Sequence, residues 1–279
     1  MPEGRRHTPS GTFVAVGHST RDVTTLASGE TLPPRIGGAV SFAGATARHY
    51  GLSASIITST DDPGELQSLL PGVNVVNVPS DQTTTFGNDY SSGERSQTLS
   101  AIASGIGIGD ILDNLRSPDI ALICPLVREV ELESLAWFPD SITGTILQGF
   151  LRSWDRHGNV STSAIEPPMM ERKIEIAVVS ARELDIAQAE AWSSAARVVA
   201  QTRGSEGVGI YVDGVWTDIP VLPVVEIDPT GAGDVWAAAY LIRIRQTSDA
   251  IDSAVFATRA AAHSVTAVGL AGIEQIPVE

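Results

Sequence analysis

Residues 228–240 read Asp-Pro-Thr-Gly-Ala-Gly-Asp-Val-Trp-Ala-Ala-Ala-Tyr. The apolar run 221–227 (VLPVVEI) precedes them, and small or apolar side chains continue to Ile244. The pattern predicts a strand over 221–227, a tight turn, and a helix over 231–244. Gly231, Ala232 and Gly233 then lie at the helix N-terminus. There the first N–H groups have no helical partner, and the helix dipole adds positive potential. Side chains this small let an anion come close to the backbone. Asp234 falls in the first turn, where it can take a proton from a nucleophile or merely complement the dipole. The bare Gly-x-Gly-Asp pattern carries little weight, because a second copy occurs at Gly107-Ile108-Gly109-Asp110. The strand before and the Ala-rich helix after set the 231–234 copy apart.

Outward from this segment, short apolar runs alternate with helical stretches. Residues 13–17, 55–58, 73–78, 119–124, 145–150, 174–179, 197–202 and 208–212 read as strands. Residues 38–50 read as a helix closed by Gly51, and further helices are expected at 65–70, 129–136, 185–195 and 249–266. Alternation of this kind implies an α/β fold whose mostly parallel sheet is covered on both faces, with ligands beyond the carboxyl ends of the strands. Residues 18–36 and 80–100 are polar and stand apart; 83–90 and 94–99 flank a Ser-Ser-Gly turn and read as an exposed hairpin. Residues 1–11 read as a ragged terminus, 155–158 as a turn, and Glu129, Glu131 and Glu133 as a solvated face rather than a metal site.

Charge and composition exclude several classes. With 18 basic and 33 acidic residues, the net charge is −15. So acidic a chain is a poor binder of nucleic acid or anionic membrane. The single lysine, Lys173, does not follow a glycine, so there is no P-loop. The single cysteine, Cys124, allows no internal disulfide and no cysteine metal cluster. No apolar run reaches about 18 residues, the length of a membrane span. A cytoplasmic enzyme in a reducing compartment is the expectation.

The 228–240 string resembles the C-terminal signature of the ribokinase-like (PfkB) carbohydrate kinases. Three further stretches are similar to motifs of that family. Gly37-Gly38-Ala39, between the first strand and the first helix, resembles its Gly-Gly motif. Thr202-Arg203-Gly204-Ser205-Glu206-Gly207 is similar to its nucleotide loop. Asp22 falls where these kinases hold a substrate hydroxyl. The resemblance runs over roughly residues 12–275. It implies a ribokinase-like three-layer α/β/α sandwich with a mostly parallel central sheet and a small β lid. Residues 1–279 would form one domain, with 18–36 and 80–100 as the lid.

The function implied is transfer of the γ-phosphoryl of Mg-ATP to a hydroxyl of a small sugar, polyol or cyclitol. Asp234 would be the general base and Gly231, Ala232 and Gly233 the anion hole. Asp22, Gly37, Gly38, Phe42 and Arg152 would bind the acceptor. Ser180, Glu183, Thr202, Arg203, Gly204 and Gly207 would bind the nucleotide. Glu183 would act on Mg2+ indirectly, the ion being held by phosphates and water; Asp228 resembles a position that ligates a monovalent cation such as K+ in some members. Arg203 reaches the phosphates or is a surface arginine; Arg152 touches a ligand or forms a structural salt bridge.

Two departures bear on the acceptor. Phe42 stands where the family's Gly-Gly motif usually places Asn, and Ser180-Ala181-Arg182-Glu183 stands for its Asn-x-x-Glu. With the stretch Gln148-Gly149-Phe150-Leu151-Arg152, they look like the myo-inositol kinase branch. A nucleoside kinase and a non-catalytic ligand-binding relative remain as alternatives. Phe86, Tyr90, Arg95 and Gln97 are expected to face the acceptor or a partner's lid. An apolar lid underside would need cover from substrate or from a second copy, a homodimer.

Overall fold

The computed structural model describes residues 11–92 and 96–278. The readings of residues 1–10 and of Arg95 lie outside the described residues. In chain order the elements are β1 (Thr12–Val16), β2 (Thr20–Thr25), β3 (Arg35–Gly37), α1 (Ala39–His49), β4 (Ser53–Thr60), α2 (Pro63–Leu69), β5 (Asn74–Pro79), β6 (Thr84–Asp89) and β7 (Ser96–Ala101). Next come β8 (Ile120–Ile123), β9 (Ile142–Ile146), α3 (Gln148–Leu151), β10 (Arg152–Trp154), β11 (Val160–Thr162), β12 (Ile174–Ser180) and α4 (Ile186–Ala191). The chain then forms β13 (Ala196–Thr202), β14 (Val208–Val212), β15 (Val215–Ile219), α5 (Ala232–Thr247) and α6 (Ala250–Ser264).

Nine strands form one sheet in the order β15-β14-β13-β12-β9-β8-β1-β4-β5. All neighbours from β5 to β13 are parallel; β14 and β15 join antiparallel. Strand periodicity explains the layers. Phe13 and Ala15 of β1 pack on one face with Phe42 of α1, Trp236 and Tyr240 of α5 and Ala254 of α6. Val14 and Val16 point the other way, toward Leu135, Phe138, Leu147, Leu184 and Trp192. Each large apolar side chain fully buried in this way contributes about 1.5–3 kcal/mol. The three-layer α/β/α sandwich expected from the sequence is therefore present.

A second sheet of four strands, β3-β2-β6-β7, is built from the two polar segments. Its apolar side is covered within the chain. Phe86 is 3% exposed and Leu99 8%. Leu99 N–H donates to the Gly158 carbonyl at 2.8 Å, so the β10–β11 hairpin and its 155–158 turn back onto this sheet.

Four local expectations are corrected. Residues 221–227 form no strand: Pro220 and Pro223 lack the N–H a ladder needs, and Val225 is 80% exposed. The run 145–150 splits into the end of β9 and the short helix α3, because Gly149 sits against the Pro125 and Leu126 backbone. The helix expected over 129–136 is only a 3-10 turn, Leu132–Ala136, and Glu129 is buried rather than solvated. The 185–195 helix stops at Ala191 and tightens into a 3-10 turn at Trp192–Ser194.

A Cβ at Gly149 would collide with the Pro125 and Leu126 main chain, which cannot move aside as a side-chain tip can. Gly149→Ala is expected to lower unfolding stability by about 1–3 kcal/mol, the usual cost of overpacking. Gly109→Ala, at a site with open space, serves as the near-neutral control. Urea titration of both variants checks this.

Candidate active site

The carboxyl ends of β1, β8 and β12 and the N-terminus of α5 converge on one region. Gly231 precedes α5 in a left-handed conformation, φ 79°, that a side chain would strain. The Phe42 ring lies where its Cβ would be, so glycine is required twice over. No side chain caps this helix start. Gly233 faces open space, with nothing within 4 Å of a built Cβ. The first amides of α5 are thus approachable by an anion, as the sequence suggested.

Asp234 follows in the first turn. Its pKa is pushed up to about 7, chiefly by burial; the nearby charges of Glu183 and Asp22 push the same way, and the Arg152 guanidinium opposes them. Asp22 comes from β2 and Arg152 from the start of β10, so residues far apart in sequence meet here. The Asp22 carboxylate lies over the α-carbon of Gly37, where a Cβ would clash with Oδ2 and lie 3.2 Å from Cγ. Gly38, φ 91°, caps α1, and a Cβ there would meet the Ser19 and Thr20 backbone. Arg152 is 7% exposed; its Nη1 donates to the Leu126 carbonyl at 3.3 Å, and its guanidinium stands 5.0 Å over the Phe86 ring. Phe42 is 2% exposed, underneath the 231 turn rather than on the surface of the site.

Glu183 is held as an acceptor. Its Oε2 receives the Ser180 N–H at 3.0 Å and its Oε1 the Gln148 side-chain amide at 2.7 Å. Gln148 had no role of its own in the sequence reading. The turn is joined to the next strand by Ala181 N–H donating to the Thr202 carbonyl at 2.9 Å. Thr202–Gly207 forms the loop between β13 and β14, with Gly204 and Gly207 at φ 58° and 89°. The Arg203 side chain turns onto β15 instead of toward α5, with Nη1 2.6 Å from Asp218 Oδ1 and Nε 3.0 Å from Gln201 Oε1. Asp218 is exposed, and such a pair is worth about 0–1 kcal/mol, little enough to exchange for a phosphate. Asp228 uses both oxygens as loop staples, accepting Thr230 N–H and Gly269 N–H at 3.0 Å each.

Three buried groups nearby, Glu129, Cys124 and His18, were not among the expected site residues. Glu129 accepts the His18 and Leu126 amides on Oε1 and the Leu126 and Val127 amides on Oε2, at 2.7–2.9 Å. Cys124 is kept a neutral thiol by burial first, then by the charges of Asp234 and Glu129. His18 is fully buried at the exit of β1. Among the described residues no cluster of three or more His, Cys, Asp or Glu could hold a metal ion.

Residues 171–276 match the family model described as pfkB family carbohydrate kinase. No curated protein matches the chain in sequence. Among solved structures, a pyrophosphate-dependent kinase in the ribokinase family, complexed with a pyrophosphate analog and myo-inositol, superposes with a TM-score of 0.78 at 20% identity, covering 95% of this chain and 100% of that one. A ribokinase from Thermotoga maritima gives 0.66 at 19% identity over 96% of each chain. Arabidopsis thaliana ribokinase complexed with ribose and ATP gives 0.68 at 17% identity, again over 96% of each. The chain therefore has the ribokinase-like fold, and its residues 171–276 are similar to the pfkB family carbohydrate kinases.

With Asp234 as the base that the family resemblance implies, turnover is expected to rise with pH through about 7, since a base must be ionised to act. Asp234→Asn is expected to lower kcat by about 10²–10⁴-fold, the span for a lost general base. The sign for stability is opposite. A carboxyl raised from 3.8 to about 7 on folding binds its proton more tightly in the native state, so stability falls as pH rises between those values. Asp234→Asn should therefore raise the melting temperature above neutrality and leave it little changed near pH 3.8. Thermal melts across that range check the sign.

Proposed function

We propose that the chain transfers a phosphoryl group to a hydroxyl of a small neutral polyol or cyclitol of the myo-inositol kind. The observation that carries this is Asp234 in the first turn of an uncapped helix start, near enough to Asp22 to feel its charge. Asp234 takes the hydroxyl proton as the acceptor oxygen bonds to phosphorus and the bond to the leaving phosphate breaks. The amides at Gly231–Gly233 receive the charge that spreads over the transferred group. Asp22, beside Gly37 and Gly38, accepts a hydrogen bond from a second acceptor hydroxyl. The charges of Asp22 and Glu183 act on Asp234 together with that of the Arg152 guanidinium, a setting that suits an acceptor rich in hydroxyls. The small sheet carries Asp22 and acts as the cover that keeps water from the reacting phosphorus.

Mg-ATP is the donor in this reading, and supplies the phosphoryl group and the divalent charge. Gly207 packs beside Val221, where the exposed apolar stretch 221–227 begins, a surface that a nucleotide base can cover. Pyrophosphate is the second reading for the donor. It is favoured by the high structural similarity to the pyrophosphate-dependent kinase and by the Arg203 side chain being held on Asp218. The nucleoside reading is weakened by Phe42, the ring offered as a slot for the base, which is buried beneath Gly231.

Product release measured over myo-inositol, ribose and adenosine, each with Mg-ATP or with Mg-pyrophosphate, tests the proposal. Turnover is expected with myo-inositol above the other two and is expected to vanish with EDTA. Preference for adenosine, or no turnover with any pair, would overturn it.

A further inference from the structure

Glu129 takes no part in the chemistry above, yet its carboxylate is buried at 6% exposure and saturated by three main-chain amides. The backbone is bent to bring it there. Arg128, which separates it from Val127, is exposed and left-handed at φ 59°, a conformation costing a non-glycine residue about 1–2 kcal/mol. What the bend achieves is a fixed 126–127 peptide pair. Leu126 gives its N–H to both Glu129 oxygens and its carbonyl to Arg152 Nη1 at 3.3 Å. The same stretch of main chain, Pro125–Leu126, is the floor on which Gly149 seats α3, the helix that leads into Arg152. Arg152 is thereby held twice through residues that Glu129 orders: at its guanidinium and at the element that launches it.

We propose that Glu129 is a positioning residue for phosphoryl transfer, fixing the Leu126 carbonyl so that the Arg152 guanidinium stays over Phe86 and beside Asp234. Glu129 touches no reacting atom in this arrangement. Its remaining surroundings are the His18 amide, whose ring is engaged with Thr84 and Ser104, and the neutral Cys124 thiol. The inference rests on the reading of Arg152 and Asp234 as site residues, so it needs a readout independent of turnover.

Glu129→Gln, Arg152→Gln and the double variant are made in the full chain. The Arg152 Nε–H resonance, assigned by its loss in Arg152→Gln, is followed by 15N-edited NMR. In Glu129→Gln it is expected to move toward the exposed-arginine position and exchange faster with water. With the acceptor that turns over in the panel, each single variant is expected to lose about 10–100-fold in kcat/KM, the usual effect of removing a supporting partner. The double variant is expected to be no worse than Arg152→Gln alone. Losses that multiply in the double variant, or an unmoved Arg152 resonance alongside a lowered melting temperature, would overturn the proposal. Should Glu129→Gln fail to fold, Glu129→Asp keeps the charge and shortens the reach, and the same resonance and cycle decide. If no acceptor turns over, the functional reading fails while the resonance still judges this one.

Discussion

The constraint on which the site depends is a helix start kept bare. Helix N-termini normally recruit a side chain to satisfy their first amides, as Asp249 does for α6 and Asp185 for α4. At α5 the cap is Gly231, left-handed and pressed against the Phe42 ring, and no side chain reaches over it. The amides are left for a ligand. Phe42 therefore supports the 231 turn from beneath. The apolar ring that departs from the family pattern is a packing solution to the geometry of the turn.

Electrostatics then select what may enter. The chain carries −15 overall, and among the described residues the charges that act on Asp234 are those of Arg152, Glu183 and Asp22. In the proposed reaction an anionic donor would approach on the α5 side, where the bare amides lie, and the acceptor would offer its hydroxyls to the carboxylates. Burial raises Asp234 further than its acidic neighbours do, and Arg152 limits the rise. A carboxylate that titrates near neutrality is basic enough to take an alcohol proton and still ionised for much of the time. Arg152 thus sets a balance, which is why its support by Leu126 and Glu129 matters.

Most of the fold was legible because strand and helix periodicities are strong where both faces of a sheet are buried. β1, β8, β12, β13 and β14 each lie within a residue or two of the apolar runs that foretold them. The 231–234 turn was legible because Gly231 answers a backbone requirement. What could not be read was tertiary. Residues 221–227 look like a strand by composition, but two prolines and a position beyond the last paired strand leave them irregular. Glu129 looks like surface, since acidic residues at 129, 131 and 133 suggest a solvated face. Nothing local announces that a left-handed Arg128 folds that one carboxylate back onto amides from two strand ends. The Arg203–Asp218 pair likewise depends on the β14–β15 register and not on the loop motif itself.

The joint between the two sheets explains how Asp22, on the small sheet, keeps its place relative to Asp234, on the large one. His18 sits at that joint, fully buried. Its Nε2 lies 2.8 Å from the Ser104 carbonyl, which can only accept, so Nε2 carries the proton. Nδ1 lies 2.7 Å from Thr84 Oγ1, which accepts the Ala103 N–H at 2.9 Å. Both ring nitrogens thus engage Thr84 of β6 and Ser104 just beyond β7. On the other side, the His18 amide is bound by Glu129 and the Ser19 amide by the Thr58 hydroxyl of β4, at 2.7 Å each. Two residues thus lock both segments of the small sheet to the ends of β1 and β4. Asp22 stands only a few residues along β2 from this anchor, so the core itself places its carboxylate.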